Sequence, residues 1–125
     1  MPEGRIFSWS DIDAETFADI KCRSKVVTGE RMQLIWAEFA PDGTYAMHTH
    51  PQEQFSVMLQ GRMRLTVGEE KREIGPGDMW HAPANVPHGG VMLGDEPVVF
   101  IDVYAPPSEF ITSEMARLRA ERLGE

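Results

Sequence analysis

The sequence lacks several features that mark particular classes of protein. It has one cysteine, Cys22, among 125 residues, which excludes an internal disulfide and favours a reducing compartment, the cytoplasm. No apolar stretch approaches the length of a membrane span, and the first residues lack the charged-then-apolar layout of a signal peptide. The 12 basic residues form no run and are outnumbered by 20 acidic ones, which argues against nucleic acid and anionic membranes as partners.

Internal repeats, low-complexity tracts and linkers are also absent, so a single domain over residues 1–125 is predicted. With 42% hydrophobic and 26% charged residues, the chain has the composition of a globular protein with one core. Turn signals recur about every eight to twelve residues, between short segments rich in strand-forming residues. This pattern predicts an all-β sandwich or barrel.

The turns divide the chain into predicted strands and one predicted helix. Strands are expected at 5–9, 24–28, 31–39, 44–49, 54–60, 62–67, 72–74, 79–82, directly after His88, and at 98–105. Residues 11–21 are expected to form a short helical turn or a loop. A helix is expected at about 111–123, with Ser113 as a candidate N-cap and Gly124 past its end. Its apolar side is narrow, so it is expected on the outside of the barrel or against a second subunit.

Alternation along the predicted strand 54–60 separates two faces. Gln54, Ser56 and Met58 share one face, while Phe55, Val57 and Leu59 share the other. A mixed face backed by a wholly apolar one suits a barrel whose interior holds a metal and a ligand.

Two histidines form the first half of a predicted metal site. His48 and His50 are two residues apart, so on an extended strand their side chains leave from the same face. Imidazole is the commonest side-chain ligand for divalent transition metals. A lone pair of histidines is a weak signal, and further ligands are needed to complete a site.

Candidates for those further ligands follow in the sequence. Gln52, Glu53 and Gln54 come next after the histidines; strand parity favours Gln54, and Gln52 is close to a proline bend. His88, which follows a turn rich in Pro, Asn and Gly, is the best placed ligand from another strand. His81 is interpreted as a packed or surface histidine.

The spacing of these residues resembles the two sequence motifs of the cupin family. The first motif places Gly, His-x-His, Glu and Gly in order, matched here by Gly43, His48, His50, Gln54 and Gly61. The second places Gly, Pro-x-Gly, His and Asn in order, matched by Gly77, Pro83, Asn85 and His88, with Met92 at the last place. The resemblance covers 43–92. It implies a jelly-roll β-barrel of two antiparallel sheets with a short C-terminal helix, a metal site and a homodimer.

The family's glutamate is replaced here by Gln54. Three histidines and a carboxylate leave a divalent ion with a net charge of about +1, whereas a neutral amide leaves it near +2. The ion is then a stronger Lewis acid and a better seat for an anionic group of a substrate. The alternative is that Glu53 is the ligand and Gln54 a bystander. Such a site accepts nickel, zinc, iron, manganese or copper.

Asp102 interrupts an apolar run near the end of the chain. In a central strand an unpaired carboxylate is costly, so a role for it is expected. If its face points into the barrel, Asp102 and Tyr104 are candidate catalytic residues, with the carboxyl taking or giving a proton. The alternative is a structural partner for a buried arginine, or a residue at a strand end.

Two stretches resemble one cupin subgroup, the pectin-degradation proteins that open the ring of 4,5-unsaturated uronates. They are His48 to Gln54 and Asp102-Val-Tyr104-Ala-Pro-Pro. The resemblance implies a metal that binds the carboxylate and ring oxygens of the substrate, and proton transfer at Asp102. The chain departs from the subgroup at Ser108-Glu-Phe110, where the relatives carry a basic residue.

The expected function is therefore that of a metal-dependent lyase or isomerase acting on a sugar acid or another small oxygenated anion. An iron-dependent dioxygenase and a non-catalytic binding module are the alternatives, because this scaffold hosts all three.

Overall fold

A computed structural model describes residues 3–125, which form ten strands and one α-helix. The strands are β1 Glu15–Phe17, β2 Cys22–Thr28, β3 Gln33–Phe39, β4 Tyr45–His48, β5 Glu53–Gln60, β6 Arg62–Val67, β7 Glu70–Ile74, β8 Met79–Ala82, β9 His88–Leu93 and β10 Val98–Ala105. The helix, α1, spans Glu109–Leu123, and a short 3-10 turn spans Trp9–Asp11. In this part of the chain, no helix is both long and apolar enough to cross a membrane.

The strands form two antiparallel sheets. The large sheet has the order β1-β2-β3-β10-β5-β8, and the small sheet has the order β4-β9-β6-β7. The core lies between them and includes Phe39, Met58, Met63, Trp80 and Phe100. The predicted jelly-roll barrel of two antiparallel sheets with a short C-terminal helix is confirmed.

Alternation decides which face of β5 lies inside the barrel. Gln54, Ser56 and Met58 are buried, whereas Phe55, Val57 and Leu59 are exposed. The two faces are therefore those expected from the sequence, and the mixed face points inward. The apolar face lies on the outside of the large sheet.

Strand β10 lies between β3 and β5 at the centre of the large sheet. Its Asp102 is paired with Ser56 of β5, and its Tyr104 is paired with Gln54. Directly paired residues share a face of the sheet. The pairing therefore places Asp102 and Tyr104 on the inner face, beside the candidate ligand Gln54.

The start of the chain differs from the expectation. The predicted strand at 5–9 is absent: residues 3–8 have no regular structure, and Trp9 begins the 3-10 turn. The side chains of 3–8 are exposed, so this segment buries no apolar face against the barrel. A strand, β1, instead lies within 11–21, where a helical turn or loop is predicted.

A long-range ion pair joins the unexpected strand β1 to the end of the helix. Glu15 is buried, and both of its carboxylate oxygens accept hydrogen bonds from Arg122, at 2.9 and 2.8 Å. A buried charge needs such a partner. Because Arg122 lies near the far end of the sequence, the local pattern of residues around Glu15 cannot predict this ion pair.

The helix begins earlier than predicted, because Ser108, and not Ser113, is its N-cap. The Ser108 Oγ accepts a hydrogen bond from the Ile111 amide at 3.1 Å, and the Ser108 amide donates to the buried Gln33 Oε1 at 3.0 Å. At the other end Gly124 takes a left-handed conformation with φ of 74°, as expected of a C-cap.

Helix α1 lies against one end of the barrel, with all of its residues partly or fully exposed. Helix residues Ile111 and Leu118 line a cavity together with Ile35 and Ala37 on the inner face of β3. No residue of α1 is buried. The helix therefore covers the β1–β3 end of the barrel interior without packing tightly onto it.

We expect Phe100→Ala to lower the free energy of unfolding by about 3–5 kcal/mol, because it removes a core ring and leaves a cavity. The Phe100 side chain is 1% exposed, and its ring lies 5.6 Å from that of Phe39 and 5.2 Å from that of Trp80. Urea denaturation of the metal-free protein measures the change. Phe110→Ala is the matched control, since Phe110 is 70% exposed and its loss is expected to cost under about 1 kcal/mol. Equal effects of the two substitutions would contradict this view of the core.

Candidate metal centre

Three histidines meet inside the barrel. His48 ends β4 and is paired with His88, the first residue of β9. His50 follows in the turn after β4. A nitrogen atom from each of the three rings lies within 4.8 Å of those from the other two. The structure thus brings together the three histidines that the sequence places in one site.

A glycine allows β4 and β9 to approach closely at this point. A Cβ atom on Gly89 would lie 2.7 Å from the Met47 amide nitrogen, a distance that no side chain tolerates. Any larger residue would push the strands apart. Because His48 and His88 lie beside this contact, Gly89 sets the distance between them.

Backbone carbonyls determine which nitrogen of each of the three rings carries the proton. The Nδ1 of His48 lies 2.7 Å from the Ala46 carbonyl oxygen, that of His50 lies 3.0 Å from the Gln52 oxygen, and that of His88 lies 2.9 Å from the Val86 oxygen. A carbonyl oxygen only accepts, so each Nδ1 carries the proton and donates it. In a neutral ring the Nε2 atom then has a lone pair that is free to bind a metal.

Lone pairs converge at the centre of the site. The Nε2 atoms of His50 and His88 lie 3.2 Å apart, and the Gln54 Oε1 lies 3.0 Å from the same His50 atom. None of these acceptor atoms carries a proton to share, so their approach is unfavourable without a cation between them. The donor set therefore fits a divalent transition metal.

Burial favours the neutral, metal-binding form of His50 and His88. It lowers the pKa of His88 to about 4, helped by the neighbouring His48 and His50, against a hydrogen bond to the Val86 carbonyl. Burial also lowers the pKa of His50. Near pH 7 neither ring needs to lose a proton before binding a metal.

The amide of Gln54 is held in one orientation. Its Nε2 donates to the Asp102 Oδ1 at 3.0 Å and to the Ser56 Oγ at 2.8 Å, and Ser56 in turn donates to the same Asp102 oxygen at 2.5 Å. Because Asp102 accepts from the NH2 group, the amide oxygen must face the histidines. This arrangement places Gln54 where a fourth ligand would be.

The other candidate ligands lie elsewhere. Glu53 is exposed on the opposite face of β5, with its carboxylate 2.7 Å from the Nε2 of His81. The His81 ring stacks on Phe55 outside the barrel. Gln52 is buried, and its backbone carbonyl holds His50. The structure therefore favours Gln54 over the alternative ligand Glu53, because the Glu53 carboxylate points away from the histidines.

The two candidate catalytic residues lie next to this group. Asp102 is 5% exposed, and burial raises its pKa to about 7 against the hydrogen bonds from Ser56 and Gln54. The Tyr104 ring lies 4.7 Å from that of His50, and burial raises the pKa of Tyr104, so its hydroxyl stays protonated. No arginine within residues 3–125 hydrogen-bonds to Asp102, whose partners are Ser56 and Gln54.

Two residues of the site carry no signal that singles them out in the sequence. Ser56 shares the parity of Gln54, but only the pairing of β5 with β10 brings it to Asp102. Tyr45 packs edge-on against His48 at 5.3 Å, and its buried hydroxyl has no hydrogen-bond partner among the described residues. In the sequence Tyr45 is an ordinary strand residue.

The three-histidine cluster opens into a cavity of about 900 Å³. Its walls include His48, His50 and Tyr104, together with residues 106–111 ahead of and within the first turn of α1. A cavity of this size holds a small molecule. We refer to it below as the mouth.

Comparisons with known proteins agree with this arrangement. The sequence profile of the family described as Cupin domain matches residues 35–104, which is more than half of the chain. Among solved structures, KdgF from Halomonas sp. superposes with a TM-score of 0.79 at 22% identity, covering 87% of this chain and 99% of KdgF. An RmlC-like cupin from Shewanella frigidimarina gives a TM-score of 0.77 at 19% identity, covering 89% and 99% of the two chains.

A curated relative matches part of the chain. The oxalate decarboxylase OxdC from Bacillus subtilis is 27% identical over 64 residues, which is 47% of this chain and 17% of OxdC. The match therefore spans less than a fifth of that larger enzyme.

We expect the purified protein to bind about one divalent metal ion per chain, and His88→Ala to weaken binding by more than about 100-fold, the upper end of the effect of changing outer-shell partners. Elemental analysis after dialysis and titration calorimetry with nickel or zinc measure this. The matched control is His81→Ala, because His81 lies outside the barrel. If His81→Ala lost the metal as well, or if neither variant changed binding, the site would lie elsewhere.

Proposed function

The chain belongs to the cupin family, and from that premise we propose that it is a metal-dependent lyase or isomerase acting on a sugar acid or another small oxygenated anion. His48, His50, Gln54 and His88 would hold one divalent transition metal ion: nickel, zinc, iron, manganese or copper. The observation that carries the proposal is the 3.2 Å approach of two imidazole nitrogens that both lack a proton.

When bound, the ion acts as a Lewis acid on a carboxylate or carbonyl oxygen of the substrate. Gln54 contributes an amide oxygen and no charge, so the site keeps more positive charge for an anion than a carboxylate ligand would leave. Asp102 and Ser56 hold that amide in the required orientation. The chain thus contributes a metal site of fixed geometry whose positive charge would bind one oxygenated anion.

Asp102 and Tyr104 are proposed to handle protons in the reaction. Both recorded hydrogen bonds to the Asp102 carboxyl from the described residues end on Oδ1. Oδ2 is therefore the atom proposed to take a proton from a hydroxyl group of the substrate and to deliver one to a ring carbon as the ring C–O bond breaks. Tyr104 lines the mouth, where its protonated hydroxyl can donate to a substrate oxygen.

Ring opening of a 4,5-unsaturated uronate is the sharpest form of the proposal. It is supported by the resemblance of His48–Gln54 and of the Asp102-Val-Tyr104-Ala-Pro-Pro stretch to the pectin-degradation cupins, and by the similarity to KdgF. Ser108-Glu-Phe110 departs from that subgroup, and Ser108 here caps a helix. The departure concerns which anion is bound, not the metal or the proton transfer.

We expect metal-loaded protein to consume the double bond of an unsaturated uronate, seen as a loss of ultraviolet absorbance. Asp102→Asn is expected to lower the rate by about 10²- to 10⁴-fold, the range for a general acid–base, while elemental analysis still finds one metal per chain. His81→Ala is the control and should keep the rate. Turnover that needs O2 and iron would instead identify a dioxygenase, and binding without product a binding module.

We also propose that two copies form a homodimer through the outer face of the large sheet. That face carries Phe55, Val57 and Leu59 of β5 and Met79 of β8, all exposed in the single chain. An apolar patch of this kind on a sheet favours association with another protein surface. A second copy of the chain offers the same patch, which suits a two-fold interface.

Phe55→Lys is expected to separate the dimer, because it would bury two like charges near the two-fold axis. Light scattering during size-exclusion chromatography measures the mass, with a dimer at twice the chain mass of 14.1 kDa. Val91→Lys is the control, because Val91 is also exposed but lies on the small sheet. A wild-type mass of one chain would refute the dimer, and dissociation by Val91→Lys alone would refute the large sheet as its interface.

A further inference from the structure

We propose that the natural ligand joins an oxygen-bearing head, held at the three imidazoles, to an apolar body that lies between the large sheet and α1. The inference rests on the metal site of the proposed function. Within the proposed class of sugar acids and other small oxygenated anions, it favours anions with one charged head and a hydrocarbon body about the size of a ring over hydroxyl-rich uronates.

The space for that body is a second cavity, here called the chamber. Its floor is the inner face of β2, β3 and β10, including Ile35, Ala37 and Phe100, and its roof is α1, including Ile111 and Leu118. The chamber has a volume of about 520 Å³, within the range of small-molecule sites. Because no residue of α1 is buried, the helix spans this space and does not fill it.

The chamber and the mouth adjoin. Tyr104, Phe110 and Ile111 line both cavities. The ring of Tyr104 lies 4.7 Å from that of His50, on the mouth side. Tyr104 therefore stands between the metal ligands and the chamber, and a molecule with its head at the imidazoles passes this ring to place its body under α1.

Charge in the two cavities argues against a second anionic group. Among residues 3–125, the cationic side chain that lines them is Arg117, and its guanidinium is already held by Glu114 and Glu121, at 2.9 and 2.8 Å. The walls also carry acidic side chains: Asp19, Asp102 and Glu114 in the chamber, and Glu109 in the mouth. A second carboxylate on the ligand would meet no free cation here.

The chamber walls also argue against a hydroxyl-rich ring. Most of them are aromatic or aliphatic, with Phe17, Ile20 and Phe39 beside the floor residues. Hydroxyl groups placed against the apolar part of these walls lose hydrogen bonds to water that only polar groups at the margin, such as Ser24 and Asp102, can replace, which is costly. A hydrocarbon body loses nothing and gains from burial.

A series of monocarboxylates tests the proposal directly. Lactate, mandelate and galacturonate carry one carboxylate each but differ in the body: methyl, phenyl and polyhydroxylated ring. On protein loaded with one nickel per chain, calorimetry is expected to give mandelate an affinity at least about tenfold higher than either of the others, since burial of a ring exceeds 1.4 kcal/mol.

Leu118→Trp tests whether the chamber is the origin of that preference. The larger side chain fills the space from the helix, so mandelate should lose its tenfold advantage while lactate binding stays unchanged. Ser113→Trp is the matched control, because Ser113 is exposed and lines neither cavity, and mandelate binding should be kept. Circular dichroism and thermal melting check that both variants fold.

The possible outcomes separate this inference from the proposed function. One metal per chain with galacturonate bound as tightly as mandelate overturns the inference alone. So does a mandelate advantage that survives in folded Leu118→Trp. Absence of metal binding overturns the proposed function and this inference with it. If Leu118→Trp fails to fold, the wild-type series and the milder Leu118→Phe decide the matter.

Discussion

Three backbone carbonyls determine the chemistry of the barrel interior. Each accepts an Nδ1–H from one histidine, and together they turn three Nε2 lone pairs toward one point. Without these hydrogen bonds the rings could adopt the other tautomer and hydrogen-bond to each other. With them, the interior holds an excess of acceptors, which a bound metal ion would satisfy. The close pairing of β4 with β9 at Gly89 supports this arrangement, because it fixes where two of the rings start.

The same excess of acceptors explains how the buried polar side chains next to the histidines are oriented. Gln54 points its amide oxygen toward the histidines. Its NH2 group points away from them and donates to Asp102 and Ser56. A buried carboxylate is costly in an apolar strand unless it accepts hydrogen bonds. Asp102 therefore serves the site even before any reaction, since it sets the direction of the amide. A role in orienting Gln54 through Oδ1 is compatible with proton transfer through Oδ2.

Much of this could be predicted from the sequence, because strand periodicity is local. Parity along β5 placed Gln54 inside and Glu53 outside, and the motif spacing placed His88 with His48 and His50. The rest depends on partners far apart in the chain. In strand β1 Glu15 pairs with Arg122, and at the start of α1 the Ser108 amide donates to Gln33. The roles of Ser56 and Tyr45 likewise depend on neighbours across the sheets, which no local pattern encodes.

The attachment of α1 has a consequence for the exchange of molecules with the interior. The helix is tied at its first turn to Gln33, through Ser108, and at its last turn to Glu15, through Arg122, while no residue along it is buried. An element fixed at two points and loosely packed between them opens locally at a lower free energy than the sheets beneath it. Molecules are thus expected to enter and leave the space beneath α1 when the helix partly detaches while the barrel stays folded. Amide hydrogen exchange along 109–123 measures this local opening directly.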